Sequence, residues 1–249
     1  MEDVTVVSMA DQTRVVAEDV NWSVGAGDYW VVAGLQGSGK SDFLMLAGGL
    51  MAPALGRYQL FGESMPIFED DRLGARLRLG FVFDGGQLFS QLTIRENLAL
   101  PLRYHRHLKQ DEISETVGRL LEMTELLPWA EHVPTMIARV WQKRAGLARA
   151  LALKPEVLLL DNPLGGLDLR HKAWWLALLD RLSQGHPFFD GRSVTLVATA
   201  ADLHPWRGHA RQFAVLNARR FQVVGSWAQV EAASAEPLRE MLTERPLTG

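Results

Sequence analysis

Residues 29–50 read YWVVAGLQGSGKSDFLMLAGGL, and the order of residue types within them decides the fold. An aromatic and β-branched run at 29–33 is followed by glycines at 34, 37 and 39, then by an apolar stretch at 43–50, the pattern of a buried strand, a tight loop and a helix. The loop and helix start, GLQGSGKS at 34–41, fit G-x-x-x-x-G-K-[ST]. Glycines let backbone N–H groups curl around phosphate oxygens at a helix N-terminus. The candidate cradle is therefore Gly34, Gln36, Gly37, Ser38, Gly39, Lys40 and Ser41, with Lys40 a point charge for the β and γ phosphates and Ser41 a hydroxyl for Mg²⁺. Asp42 follows in the first helical turn. Facing inward, its carboxylate opposes a phosphate some 4 Å away by up to about 4 kcal/mol at an effective dielectric of 20; facing outward, it simply favours the helix dipole.

Working outward, short β-rich runs at 4–8 and 20–24 precede this strand, and further runs at 79–83, 157–160, 194–197 and 213–216 read as buried strands of a largely parallel sheet. Between 92 and 153 the periodicity becomes helical. Thr93 and Glu96 form a capping box, and after Asp111 the apolar positions Ile113, Val117, Leu120, Leu121 and Met123 fall on roughly one face. Beyond Trp227, the spacing of Val230, Leu238 and Met241 predicts a terminal amphipathic helix.

Composition narrows the function classes. With 26 basic and 29 acidic residues the chain is near neutral and shows no basic stripe, which disfavours nucleic acid as a partner. There is no cysteine, so disulfides, thiolate zinc sites and thiol catalysis are excluded. No run reaches the roughly 18 apolar residues of a membrane span, and the N-terminus lacks signal-peptide regions, so a soluble, unexported chain is expected. The 8 tryptophans are scattered and read as core or partner contacts.

Three segments carry a family resemblance: GLQGSGKS; the ungapped block at 134–168, PTMIARVWQKRAGLARALALKPEVLLLDNPLGGLD; and FVFDGGQLFSQLTIRENLALPL at 81–102. Together they resemble the ATP-binding cassette family, the paired ATPase subunits of membrane transporters. The phrases LMLAGGL, QLFSQLTIRENLALPL and AEPLREMLTERP look most like cassettes of lipid transporters that work with MCE-type lipid-binding partners. The resemblance implies an α/β P-loop NTPase (RecA-like) core with a parallel sheet, an N-terminal antiparallel β subdomain and an inserted α-helical subdomain. The core is expected at about 1–86 and 154–226, the helical subdomain at 87–153 and a helical tail at 227–249.

Carried over position by position, the resemblance makes Asp161 the aspartate that holds Mg²⁺ through water and Asp168 the aspartate of the loop facing an opposite cassette. Elsewhere the pattern breaks. Asn162 stands where the family has the glutamate that activates the attacking water; a general base contributes on the order of 10²- to 10⁴-fold, so hydrolysis is expected to be weak or absent. Asp84 replaces the glutamine that links metal and water to the membrane subunit, and Ala200 replaces the histidine that contacts the γ-phosphate, with His204 too far along to substitute. The L-S-G-G signature reads Ile137, Ala138, Arg139, Val140, which removes the serine hydroxyl and puts β-carbons where glycines allow close approach. The loop at 9–13 has no aromatic ring for the adenine, a contact worth about 1–3 kcal/mol.

These features predict a cassette subunit that binds ATP and Mg²⁺, lies peripherally at the cytoplasmic face of a membrane, docks on permease subunits through 87–102, and pairs with a second cassette, either its own copy or an intact paralogue. An MCE-type protein is an expected further partner. Two other readings stay open: an active transport ATPase in which Asp84 supplies the lost carboxylate and Arg139 the lost signature contact, and a soluble cassette protein with no transporter.

Overall fold

The computed structural model describes residues 1–64, 73–105, 108–233 and 238–242. The chain begins with β1 (Glu2–Val7), β2 (Val15–Val20) and β3 (Tyr29–Ala33), followed by α1 (Lys40–Ala47) and the short strands β4 (Leu55–Arg57), β5 (Gln59–Leu60) and β6 (Glu63–Ser64). Next come α2 (Leu73–Leu77), β7 (Leu79–Val82) and three consecutive helices, α3 (Ile94–His105), α4 (Gln110–Met123) and α5 (Arg139–Leu151). The rest is β8 (Val157–Leu160), α6 (Leu169–Gln184), β9 (Thr195–Ala200), β10 (Gln212–Asn217), β11 (Arg220–Gly225), α7 (Trp227–Ala232) and α8 (Leu238–Leu242).

Nine strands form one sheet in the order β4-β1-β2-β11-β10-β3-β9-β8-β7. From β10 to β7 every neighbour is parallel, whereas β4, β1 and β2 pair antiparallel, as do β10 and β11. This is the expected α/β architecture, with the antiparallel strands joined to the parallel ones through β11 and β2. Strand β3 is buried at all five positions, as a strand covered on both faces must be. Two apolar clusters lie on opposite sides of it: Val31 and Ala33 face the helices α5 and α6, while Trp30 and Val32 face α1 and the antiparallel strands.

Two sequence expectations need correction. The run at 20–24 is not a strand: β2 covers Val15–Val20, and the alternation of Val20, Trp22 and Val24 continues past the point where pairing with β1 ends at Val4. Trp22 is buried there by edge-on packing against Trp30 and by contact with Phe43 and Phe221. The terminal helix is two short helices, α7 and α8; Val230, Leu238 and Met241 are buried as expected, while 234–237 and 243–249 lie outside the described residues. The capping box at Thr93 forms as read, with Thr93 N–H donating to Glu96 Oε2 at 2.8 Å and Glu96 N–H to Thr93 Oγ1 at 3.1 Å.

Phe43, fully buried on α1 directly after the glycine loop, stacks on Phe221 with ring centroids 4.9 Å apart. Its replacement in Phe43→Ala is expected to lower unfolding free energy by about 3–5 kcal/mol through lost transfer energy and a cavity. Urea unfolding followed by tryptophan fluorescence measures this; an unchanged midpoint would contradict the packing assigned to α1.

Candidate functional site

Parallel pairing places the carboxyl ends of β3, β9, β8 and β7 along one edge of the sheet, with Ala33 opposite Ala200, Leu160 opposite Ala198 and Val82 opposite Leu160. The loops that leave this edge carry the glycine cradle, Asp161 with Asn162, Asp84 and the turn after Ala200. In open α/β sheets, ligands bind in the crevice outside these strand ends.

The cradle is set by backbone geometry. Gly37 and Gly39 adopt φ of 81° and 89°, and a β-carbon on Gly39 would sit 2.3 Å from Val16 Cγ1, so a side chain there meets both strain and a clash. Lys40 Nζ donates to Gly34 O at 2.6 Å and Leu35 O at 2.8 Å, folding the ammonium over the loop. Burial lowers its pKa, and the nearby Asp161 carboxylate partly offsets that. The Ser38 hydroxyl oxygen is buried without a hydrogen-bond partner among the described residues. Such an orphan inside a concave, donor-rich loop suits a phosphate oxygen. Gln36 and Ser41 are exposed at the mouth of the loop.

Asp42 turns outward. Its Oδ1 accepts a hydrogen bond from Met9 N–H at 2.9 Å, so the carboxylate ties down the 9–14 turn instead of facing the cradle. Arg14, from the same turn, donates through Nη2 to Gly37 O at 3.0 Å. No ring enters from this turn, as the sequence implies.

Asp161 is 8% exposed and accepts from Thr199 Oγ1 at 2.9 Å, while the same hydroxyl oxygen accepts from Asn162 N–H at 2.9 Å. Thr199 thus aligns both positions from the neighbouring strand. Asn162 has φ of 46°, a left-handed conformation that asparagine adopts more readily than most side chains. Its carboxamide lies over Gly165, where a β-carbon would come within 2.2 Å of Asn162 Nδ2. Ala200 is 4% exposed, and its carbonyl accepts from Gly34 N–H at 3.0 Å.

Asp84 is engaged internally. Its Oδ1 lies 3.1 Å from Lys143 Nζ and 3.4 Å from Arg139 Nη2. Arg139, 71% exposed, therefore reaches back to its own chain's Asp84. Ala138 occupies the N-cap of α5 with no side-chain cap, since an alanine methyl accepts no hydrogen bond, and Ile137 and Val140 beside it are buried and half-buried. Asp168 caps α6, its Oδ1 accepting from His171 N–H at 2.9 Å, and this bond holds its pKa below the usual carboxylate value. The next residue, Leu169, is 84% exposed.

Lys143, Thr199 and Arg149 were not among the predicted site residues. Arg149 donates to Gly86 O and Gln87 O, both at 3.0 Å, and so fixes the turn after Asp84. Thr199 had a readable signal, a hydroxyl near the end of the apolar strand TLVATA. Among the described residues no cluster of three His, Cys, Asp or Glu converges as a metal cage, so a divalent ion at Ser41 and Asp161 would depend on phosphate oxygens. A cavity of about 1090 Å³ opens at the opposite edge beside Trp22, Gly27, Leu79 and Thr195, and includes none of these site residues.

A sequence profile described as ABC transporter matches residues 17–165, more than half of the chain, and the chain belongs to the ABC transporter family. It is 33% identical over 88% of its length to a sulfate/thiosulfate import ATP-binding protein, CysA, of Synechococcus elongatus, covering 61% of that protein. It is also 33% identical over 67% of its length to the intermembrane phospholipid transport ATP-binding protein MlaF of Escherichia coli, covering 62% of that protein. The methionine import protein MetN of Bifidobacterium longum matches at 29% identity over 93% of the chain and 56% of that protein. The chain thus spans about three fifths of the length of these relatives. Among solved structures, a dimeric post-hydrolysis state of the ATP-binding cassette MJ0796, bound to ADP and Pi, superposes with a TM-score of 0.78 at 28% identity, covering 91% of this chain and 98% of that one.

Removing the shared hydroxyl in Thr199→Val leaves Asp161 without its donor and Asn162 N–H without its acceptor. Stability is expected to fall by about 1–3 kcal/mol, the cost of stranding buried polar groups. Chemical denaturation reads this; a variant as stable as the parent chain would show that Thr199 does not align the β8 turn.

Proposed function

We propose that this chain is the nucleotide-binding subunit of a membrane transporter, that it binds Mg²⁺-ATP at its own 34–41 cradle, and that it hydrolyses the nucleotide weakly or not at all. The carrying observation is the pairing of a well-formed cradle and a buried Asp161 with Asn162 and Ala200 at the two positions where proton-accepting and phosphate-contacting side chains would act. Lys40 and the loop N–H groups would hold the β and γ phosphates; Ser41 directly, and Asp161 through water, would hold the metal. Bound Mg²⁺ supplies neutralisation of phosphate charge. An asparagine orients a water but accepts no proton from it, and a buried alanine methyl donates nothing to phosphate.

Pairing does not restore the chemistry. In a homodimer both sites would lack the glutamate, the histidine and the signature. Beside an intact paralogue, one site would lack the first two and the other the third. The reading in which Asp84 replaces the lost base is disfavoured by its engagement with Lys143 and Arg139. We assign the subunit to a lipid-type transporter with permease subunits docked at 87–102 and an MCE-type partner, a reading supported by the resemblance of the QLFSQLTIRENLALPL segment and by the similarity to MlaF. Peripheral attachment to the cytoplasmic membrane face through those subunits is part of the same proposal, and no helix among the described residues is long and apolar enough to cross a membrane.

Titration of the purified chain with Mg²⁺-ATP is expected to show saturable binding that Lys40→Ala weakens at least about tenfold, a loss of some 1.4 kcal/mol or more. Steady-state hydrolysis by the chain in complex with its membrane subunits is expected to lie about 10²- to 10⁴-fold below that of a cassette with a glutamate at this position. No binding at all, or hydrolysis at an ordinary transporter rate, would overturn the reading.

A further inference from the structure

One buried cation touches each loop that follows β7 and β8. Lys143, on the second turn of α5, has a side chain only 3% exposed, and its Nζ donates to Asn162 O at 2.9 Å and Gly165 O at 2.8 Å, with Pro163 O at 3.4 Å and the Asp84 carboxylate at 3.1 Å. An ammonium has three protons and no acceptor capacity, so these oxygens meet its full donor demand. The same junction is tightened by backbone. A β-carbon on Gly86 would lie 2.3 Å from Gln142 O, and one on Gly146 would lie 2.5 Å from Gly86 Cα, so α5 and the turn after β7 are in direct main-chain contact. Arg149, one and a half turns further along α5, holds the carbonyls of Gly86 and Gln87.

We propose that Lys143 is a positioning residue that latches the helices between β7 and β8 onto the phosphate-binding core in the absence of nucleotide, by holding the Asp84 carboxylate and the 162–165 turn at once. The proposal takes the identity of the site from the nucleotide-binding reading, but the latch itself does not depend on it. Three segments distant in sequence share one desolvated charge, and a buried charge that loses one partner is poorly compensated by the rest. The Asp84 loop and the Asn162 turn therefore move together or not at all. The consequence for Asp84 is specific: its carboxylate is held by Lys143 and Arg139, so it serves as an anchor between α5 and the turn after β7.

The absence of cysteine makes the test direct, because paired spin labels can be placed at Glu115→Cys on α4 and Gln222→Cys on β11, both exposed, without background labelling. Inter-label distances would be measured in the full chain, without nucleotide and with Mg²⁺-ATP. The expected result is one narrow distribution that is the same in both states, and a broadened or second distribution without nucleotide in Lys143→Met and in Asp84→Asn, measured where each variant is folded. A purely structural contribution of Lys143 would shift the unfolding midpoint and leave the folded-state distance unchanged. If Lys143→Met does not fold, Asp84→Asn decides, since it preserves shape and leaves the carbonyl bonds in place. The proposal is overturned if the folded variants match the parent distribution, or if Mg²⁺-ATP shifts the parent as far as it shifts the variants. A chain that fails to bind ATP would contradict the nucleotide reading, while the nucleotide-free comparison still decides the latch.

Discussion

The in-register parallel pairing of β3 with β9 is the constraint from which the site follows. Tyr29 to Ala33 match Leu196 to Ala200 residue for residue, and the next hydrogen bond, Gly34 N–H to Ala200 O, carries the register into the glycine loop. A slip of one residue would turn every side chain of the buried strand to the other face. It would also move the cradle away from Thr199, and Thr199 is what aligns Asp161 and Asn162. The strand ends, the cradle and the buried Asp161 are thus one geometric unit, held by packing on both faces of the sheet.

Against that unit, the charged groups separate into two sets. Burial lowers the pKa of Lys40, and the nearby Asp161 carboxylate partly offsets this across the floor of the cradle. Asp84, Lys143 and Arg139 are consumed by one another at the junction with α5. The Asp84 carboxylate at the end of β7 is thus engaged within the protein. Asn162 and Ala200 also serve the fold through their backbone atoms, Asn162 N–H and Ala200 O. Such main-chain bonds do not depend on the identity of the side chain.

The parts of this arrangement that were legible in the sequence are those encoded locally. The cradle is a contiguous string between a strand and a helix, and Asp161 and Asn162 follow an apolar run with no gap to confuse their placement. The capping box at Thr93 depends on a spacing of three residues and forms as written. What was misread or unseen depends on distant partners. The run at 20–24 alternates like a strand, but Val20 ends the β2 ladder, Trp22 is buried by Trp30 and Phe43 in an aromatic cluster, and Val24 is exposed. Asp42 carries no mark that its carboxylate meets Met9 N–H, and nothing near Lys143 in the sequence announces Asp84 or the 162–165 turn. A long flexible side chain is placed by tertiary structure, and periodicity is silent about it.

The central proposal is that the cradle holds ATP and hydrolyses it weakly or not at all. The most direct measurement is the identity of the nucleotide that remains on the protein after a single-turnover incubation of the native assembly with Mg²⁺-ATP, followed by rapid quenching and separation of ATP from ADP. If the native assembly is a homodimer, the account predicts intact ATP on both copies over times in which a cassette with a glutamate converts its own; with an intact paralogue, it predicts intact ATP at this chain's cradle. Stoichiometric ADP at that cradle on the ordinary timescale would contradict it.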